Sequence, residues 1–549
     1  MVEARRFWVC LVFCAVVALS WGATAADDRR LVDAVQRRDL AAARALVLQH
    51  ADVNVAQADG ATAIAWAAHW DDLETADLLI RAGANVNAAN DLAVTPLMLA
   101  ATNGSGAMVE KLLAARADPN AIRPTGETAL VLAARAGGLA AVRALIAHGA
   151  NVNARLKTGD TALMFAAAEG HAHVVRALIE GGADVHARAD VVARKGRDRY
   201  AARQAPRRED GNQADGPKLL YKGQAIAVAQ LPKEGDNEPP RPEGGFTALL
   251  HAAMGGNLDT VKVLLAGGAR IDEQAADGVT PLMAAVIKFR EPVALHLIER
   301  GADVNAAEAG YTALHCAALT GQSGVAKALL ARSADPNARL QMPLRMQSVF
   351  VPYNPELQAG RLDQVGATPF MLAAKAVDVD MMRLLLTSGA DSGRTSDSRT
   401  TAMMLASGLG KRQVTDMFTF IRYYTWDEER AISTIKFLLD LGADVNAKNE
   451  FGETALHGAT YHAALDVIRF LVNSGADINA TNWAEQTPLR TAQGHFYSGT
   501  FVRYPEAAEL LRKLGADPSA GVQLNFGITG YVEGKDEGSK GGPGARDPK

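Results

Sequence analysis

The residues most able to do chemistry in this chain are its histidines and cysteines. His171 and His173 stand together in GHAHVV, and His315 and His457 each close a Thr-Ala-Leu-His run. His462 follows His457 by five residues, a spacing that does not align two imidazoles on one helical face. The sequence holds no Cys-x-x-Cys, no Cys-x-x-Cys-His haem attachment, no His-Glu-x-x-His zinc helix and no phosphate-binding glycine loop. Cys10 and Cys14 lie in an apolar N-terminal run, and Cys316 falls on an apolar helical segment. There Cys316 is expected to act as a small buried residue, not as a nucleophile. These spacings assemble no catalytic, cofactor-binding or metal-binding constellation. The expectation is a protein that is not an enzyme and carries no cofactor.

Binding is the remaining chemistry, and aromatic residues carry it best. Phe418, Phe420, Tyr423, Tyr424 and Trp426 fall within nine residues of a chain that is only 6% aromatic. Phe496, Tyr497, Phe501 and Tyr504 form a second group. Two readings stay open for these groups: a local mini-core that anchors inserted segments, or an apolar docking patch. The run RKGRDRYAARQAPRR, residues 194–208, has seven basic residues and one acidic one. It reads as a solvated linker, because an acidic segment follows it. The net charge of −4 over 549 residues lacks the basic excess of a nucleic-acid binder, so no nucleic acid is expected as a partner.

What must position these residues is a repeat. The pentapeptide GADVN and its variants begin at His50, Gly83, Arg116, Gly149, Gly182, Gly268, Gly301, Ser333, Gly389, Gly442, Gly475 and Gly515. Most steps are 33 residues, and the exceptions are one step of 32 and four lengthened by inserts. A fixed period with occasional insertions is the mark of a solenoid. In TPLMLAATNG, residues 95–104, the Thr95 hydroxyl can cap a helix, and Pro96 suits the first helical position, where no N–H is needed. The pair Ala100 and Ala101 permits close helix approach, and MVEKLLAA supplies a second helix with apolar residues at helical spacing. The marker glycine tolerates the left-handed conformation that follows a helix C-terminus, and the Asp/Asn-rich stretch after it suits a tight hairpin. Ordering 33 residues costs on the order of 50 kcal/mol, which one helical pair cannot offset alone, so neighbours must stack.

The stretches KTGDTALMFAAAEGHAHVVRALIEGGADVHA, 157–187, and EFGETALHGATYHAALDVIRFLVNSGADINA, 450–480, carry a familiar pattern. The chain resembles the ankyrin-repeat family over roughly residues 30–520. Ala often replaces the family's Pro, and Met, Val or Leu its His, changes that keep good helix formers in place. The resemblance implies an all-α fold, an ankyrin-repeat solenoid of helix-turn-helix units joined by β-hairpin loops. It also implies structural hydrogen bonds for His171, His315 and His457. Finally, it implies a concave face lined by the positions that follow the Ala-Ala pair. Here these include His69, Trp70, Thr102, Asn103, Arg135, Glu169, Lys288, Thr320, Lys375, Tyr461 and His462. They vary from unit to unit while the framework does not. Trp70 is the leading anchor, since Trp is a frequent binding hot spot, and Trp66 one turn earlier is expected in the core.

The N-terminus reads as a secretory signal over residues 1–25: Arg5 and Arg6, an apolar run from Phe7 to Leu19, then Ala23-Thr24-Ala25 before the cleavage point. The run is short for a membrane span. A half-repeat cap is expected at 26–58, and repeats at 59–189, 244–340 and 366–521. Between them lie a flexible insert at 190–243 and an insert loop at 341–365. Further inserts are expected at 411–429 and 495–504, between the two helices of their units. The tail 522–549 is expected to be mostly disordered. The functional expectation is a non-catalytic scaffold, periplasmic or secreted, that binds a protein through its concave surface as a monomer. Membrane contact is expected only if the signal is uncleaved. The alternatives are a ligand-binding or enzymatic site built by the insert loops, and a membrane-tethered adaptor.

Overall fold

The computed structural model describes residues 29–193, 218–221, 224–227, 242–341, 365–409, 427–483, 485–497 and 500–521. Within these, short helices alternate as inner and outer members of successive pairs, beginning with Arg30–Gln36 and Leu40–Leu48 and ending with Pro488–Gln493 and Pro505–Lys513. Consecutive inner helices pack on one another throughout, and most consecutive outer helices do the same. One apolar core runs from Leu31 to Ala516, passing each insert without a break. It is built from small residues on the inner helices (Ala100 and Ala101, Ala133 and Ala134, Ala166 and Ala167) and from larger ones on the outer helices, such as Val142 and Leu145.

The sequence signals act locally as their chemistry requires. Thr95, Thr128, Thr247, Thr280, Thr312, Thr368, Thr401, Thr454 and Thr487 each cap an inner helix by accepting its third N–H, and Pro occupies the first helical turn at 96, 281, 369 and 488. Every marker glycine has positive φ, between 82° and 97°. The three markers that are not glycine, His50, Arg116 and Ser333, adopt the same left-handed conformation, at 60°, 67° and 62°. Space explains the tolerance. A Cβ at Gly83, Gly149 or Gly182 would meet nothing within 4 Å, so a side chain there costs only its backbone strain.

The fifth marker residue builds a ladder along the hairpin edge. Asn120 Nδ2–H donates to the Gly149 carbonyl of the next unit at 3.0 Å, and its Oδ1 accepts the Asn151 N–H at 2.7 Å. Asn54, Asn87, Asn153, Asn305, Asn337 and Asn446 make the same pair of bonds. Asn337 spans the 341–365 insert in this way. The ladder changes where His186 holds the position. Its Nδ1 lies 2.7 Å from Oε1 of Glu273, a carboxylate only 1% exposed that stands where most units have Ala. At 393 the position is Gly, which has no side chain to continue the ladder.

The inserts attach as local elaborations. Val191–Ala193 pairs antiparallel with Pro242–Gly244, so the two ends of the 190–243 insert are joined where they leave the repeats, and within the insert Lys218–Tyr221 pairs antiparallel with Gln224–Ala227. His495–Tyr497 and Thr500–Val502 form a hairpin between the two helices of the last unit. The stretch 410–426 separates Ala402–Ala406 from Glu428–Asp440, again between the helices of one unit. Among the described residues no helix is long and apolar enough to cross a membrane.

Candidate partner-binding face

The inner helices end in a row, and the carbonyls of each final turn have no partner within the helix. Neighbouring units supply one. Asn103 donates both amide hydrogens to the carbonyls of Ala68 and His69, at 3.2 and 2.8 Å. Asn257 does the same for Ala167 and Ala168, Gln322 for Val286, and Arg290 Nε for Met254. His171 Nε2 meets the Arg135 carbonyl at 3.1 Å, and His462 Nε2 the Gly408 carbonyl at 2.9 Å. Of the residues placed on the concave face by sequence, Asn103 and His462 are therefore engaged in joining units. No periodicity signals this, because the acceptor is a main-chain atom of the preceding unit.

Trp70 serves both roles. Its indole N–H donates to the Gln36 carbonyl at 3.2 Å, yet the residue stays 39% exposed. The ring stacks on Trp66 at 6.1 Å, meets His69 edge-on at 4.6 Å, and lies under the Arg38 guanidinium at 5.8 Å. Trp66 is half-buried instead of fully enclosed: its ring packs against the core, and its N–H donates to Gln57 Oε1 at 3.0 Å. Trp66, His69, Trp70 and Arg38 thus form one aromatic and cationic cluster near the N-terminal end of the face. Arg38 and Gln57 joined it unannounced by any motif.

The other positions are more varied. Thr102 is exposed, and its hydroxyl turns back to the Met98 carbonyl. Arg135 is exposed, with Glu127 at 3.5 Å and the Phe165 ring at 5.8 Å, and Glu169 is exposed. The half-buried Thr320 donates to the Cys316 carbonyl and accepts from Gln322. Lys288 and Lys375 are half-buried. Burial lowers the Lys288 ammonium, with Arg290 beside it adding to the effect, and burial pulls Lys375 down to about 8. Tyr461 belongs to an internal network. Its hydroxyl donates to Glu453 Oε1 at 2.8 Å, while its carbonyl accepts from Tyr504. Burial raises both the Tyr461 phenol and the Glu453 carboxyl. Phe418, Phe420, Tyr423, Tyr424 and Trp426 lie outside the described residues.

The remaining titratable candidates are framework. His315 and His457 are fully buried. Each accepts a threonine N–H on Nδ1, from Thr312 and Thr454, and turns Nε2 toward main-chain carbonyls. Burial, only partly offset by those carbonyls, lowers both imidazoles to about 4. Cys316 is buried and its thiol is pushed up to about 12. Among the described residues no group of three His, Cys, Asp or Glu is placed to hold a metal ion.

Comparison with known proteins agrees with this architecture. The model of ankyrin repeats in three copies matches residues 31–123, 97–189, 220–308, 249–339 and 427–521, and the single ankyrin repeat matches 365–396. A putative palmitoyltransferase ZDHHC13 from Danio rerio is 28% identical over 197 residues, which is 33% of this chain and 30% of that protein. The chain therefore spans less than a third of that relative's length. With well over half of its residues matched by the repeat models, and with the stacked helical pairs, capping threonines and asparagine ladder described above, the chain belongs to the ankyrin-repeat family.

Proposed function

We propose that the chain is a non-catalytic scaffold that holds a protein partner against the row of inner-helix C-termini, with Trp70 as the principal anchor. The observation that carries this reading is the Trp66–His69–Trp70–Arg38 cluster. A tryptophan 39% exposed, braced by a second indole and by a hydrogen bond to Gln36, is already fixed in one orientation. Binding to it loses little side-chain entropy, the property that makes such residues hot spots. Ankyrin repeats as a family support protein interaction in general. The likeness to a palmitoyltransferase covers 30% of that protein, and we take it as a likeness of repeats.

The site of action we propose is the periplasm or the cell exterior, reached through the N-terminal segment with its Arg5-Arg6 start, apolar run and Ala23-Thr24-Ala25 end. The test is crosslinking and capture from the native envelope fraction, followed by mass spectrometry, with wild type beside Trp70→Ala. One protein captured by wild type and lost with Trp70→Ala, at unchanged helical content, supports the reading. Equal capture by both chains refutes Trp70 as the anchor. Recovery of the chain from the cytoplasm with residues 1–25 intact refutes the address.

A further inference from the structure

Lys288 closes the inner helix Pro281–Ile287, and Lys375 is the last residue of Pro369–Lys375. One unit, with inner helix Ala313–Thr320, lies between them, and these three helices pack in succession. Both lysines are half-buried residues, and neither has a hydrogen bond or ion pair to a described residue. Elsewhere on the array cations do find carboxylates: the half-buried Lys111 reaches Asp77 at 3.0 Å, and the exposed Arg155 reaches Asp190 at 2.9 Å. The two lysines pay part of the desolvation cost of a buried charge without the compensating partner. The cationic character extends to Arg290, exposed beside Lys288, whose Nε is held by the Met254 carbonyl. Phe289, 37% exposed, adds an apolar surface next to it.

We infer that the central stretch of the face, from Lys288 past Thr320 to Lys375, receives an extended acidic segment of the protein partner, with one carboxylate for each lysine. This rests on the scaffold reading above and names the chemistry of what is bound. The geometry sets the spacing. Two helix-to-helix steps of ~8–10 Å put the lysines roughly 20 Å apart. An extended chain rises ~3.3 Å per residue, so the matching carboxylates stand about six residues apart. The lowered lysine values fit the same picture, since a carboxylate would restore the charged form that burial disfavours.

The experiment is fluorescence anisotropy of the whole chain with a labelled twelve-residue peptide that has two glutamates six residues apart. A second peptide has them two apart. Lys288→Gln and Lys375→Gln are each expected to weaken binding of the first peptide about tenfold, the scale of losing one partly desolvated charge pair. Lys375→Arg is expected to retain most of it, and the closely spaced peptide to bind more weakly in wild type. Unchanged binding in both glutamine variants overturns the inference. So does a single-stranded oligonucleotide that binds as tightly and shows the same losses, because the site would then be a general polyanion surface. If wild type binds neither peptide while Trp70→Ala still abolishes capture of a partner, this inference fails and the scaffold reading stands.

Discussion

Asn120→Ala probes the asparagine ladder, the contact that recurs most regularly between units. It deletes two bonds to the next unit, one to the Gly149 carbonyl and one from the Asn151 N–H. The Asn120 N–H keeps its own bond to Asp118, so the turn itself survives. Each net hydrogen bond is worth about 1 kcal/mol, for a sum near 2 kcal/mol. The site is exposed, so water can satisfy the abandoned groups, and the expected loss settles toward about 1 kcal/mol. Repeat arrays need not unfold as one unit, so a single denaturation midpoint is not the best readout. Amide hydrogen exchange at Asn151 is. With its acceptor gone, this N–H should exchange about fivefold to tenfold faster, the kinetic equivalent of roughly 1 kcal/mol of lost protection. Neighbouring core amides such as Leu145 should keep their protection. An Asn151 rate unchanged in Asn120→Ala, with an unmoved denaturation midpoint, would refute the claim that the ladder bonds units together.

Two further outcomes follow from the same structure. Arg116→Gly removes a side chain from a left-handed position at φ 67°, where the equivalent glycines have open space around them. The relief of ~1–2 kcal/mol in backbone strain exceeds the ~0.5–1 kcal/mol entropy cost of glycine, so thermal unfolding should shift upward; a lower midpoint contradicts the argument. Stability should also depend on pH through His315 and His457, which burial holds near 4 in the folded chain. The unfolded chain takes up these protons near 6.5, so their contribution is complete above that value. It is lost as pH falls from about 6.5 toward 4, by up to ~3 kcal/mol for each histidine. Thermal midpoints measured from pH 8 to pH 4.5 should be flat above neutrality and fall below about 6, and a flat profile throughout would show that these imidazoles are not enclosed as described.

The fold was legible because each unit states its own boundaries. A threonine caps, a proline or alanine starts the helix, and the GADVN turn stops its partner, all through forces acting within a few residues. Repetition then requires stacking, since one pair buries too little surface, and the Ala-Ala pairs show which helices pack inside. Trp70 as an exposed aromatic, Cys316 as core and the structural hydrogen bonds of His171, His315 and His457 were within reach for the same reason. The use of Asn103 and His462 was not, because their acceptors are main-chain carbonyls of the preceding unit. Nor was the His186–Glu273 contact, whose members stand 87 residues apart across an insert. Burial of Lys288 and Lys375 likewise depends on what neighbouring units place around them. Sequence by itself determined the unit, its period and its caps. The tertiary structure decided which variable side chains join one unit to the next and which are left facing outward, because those roles depend on the distance between units, which no single unit encodes.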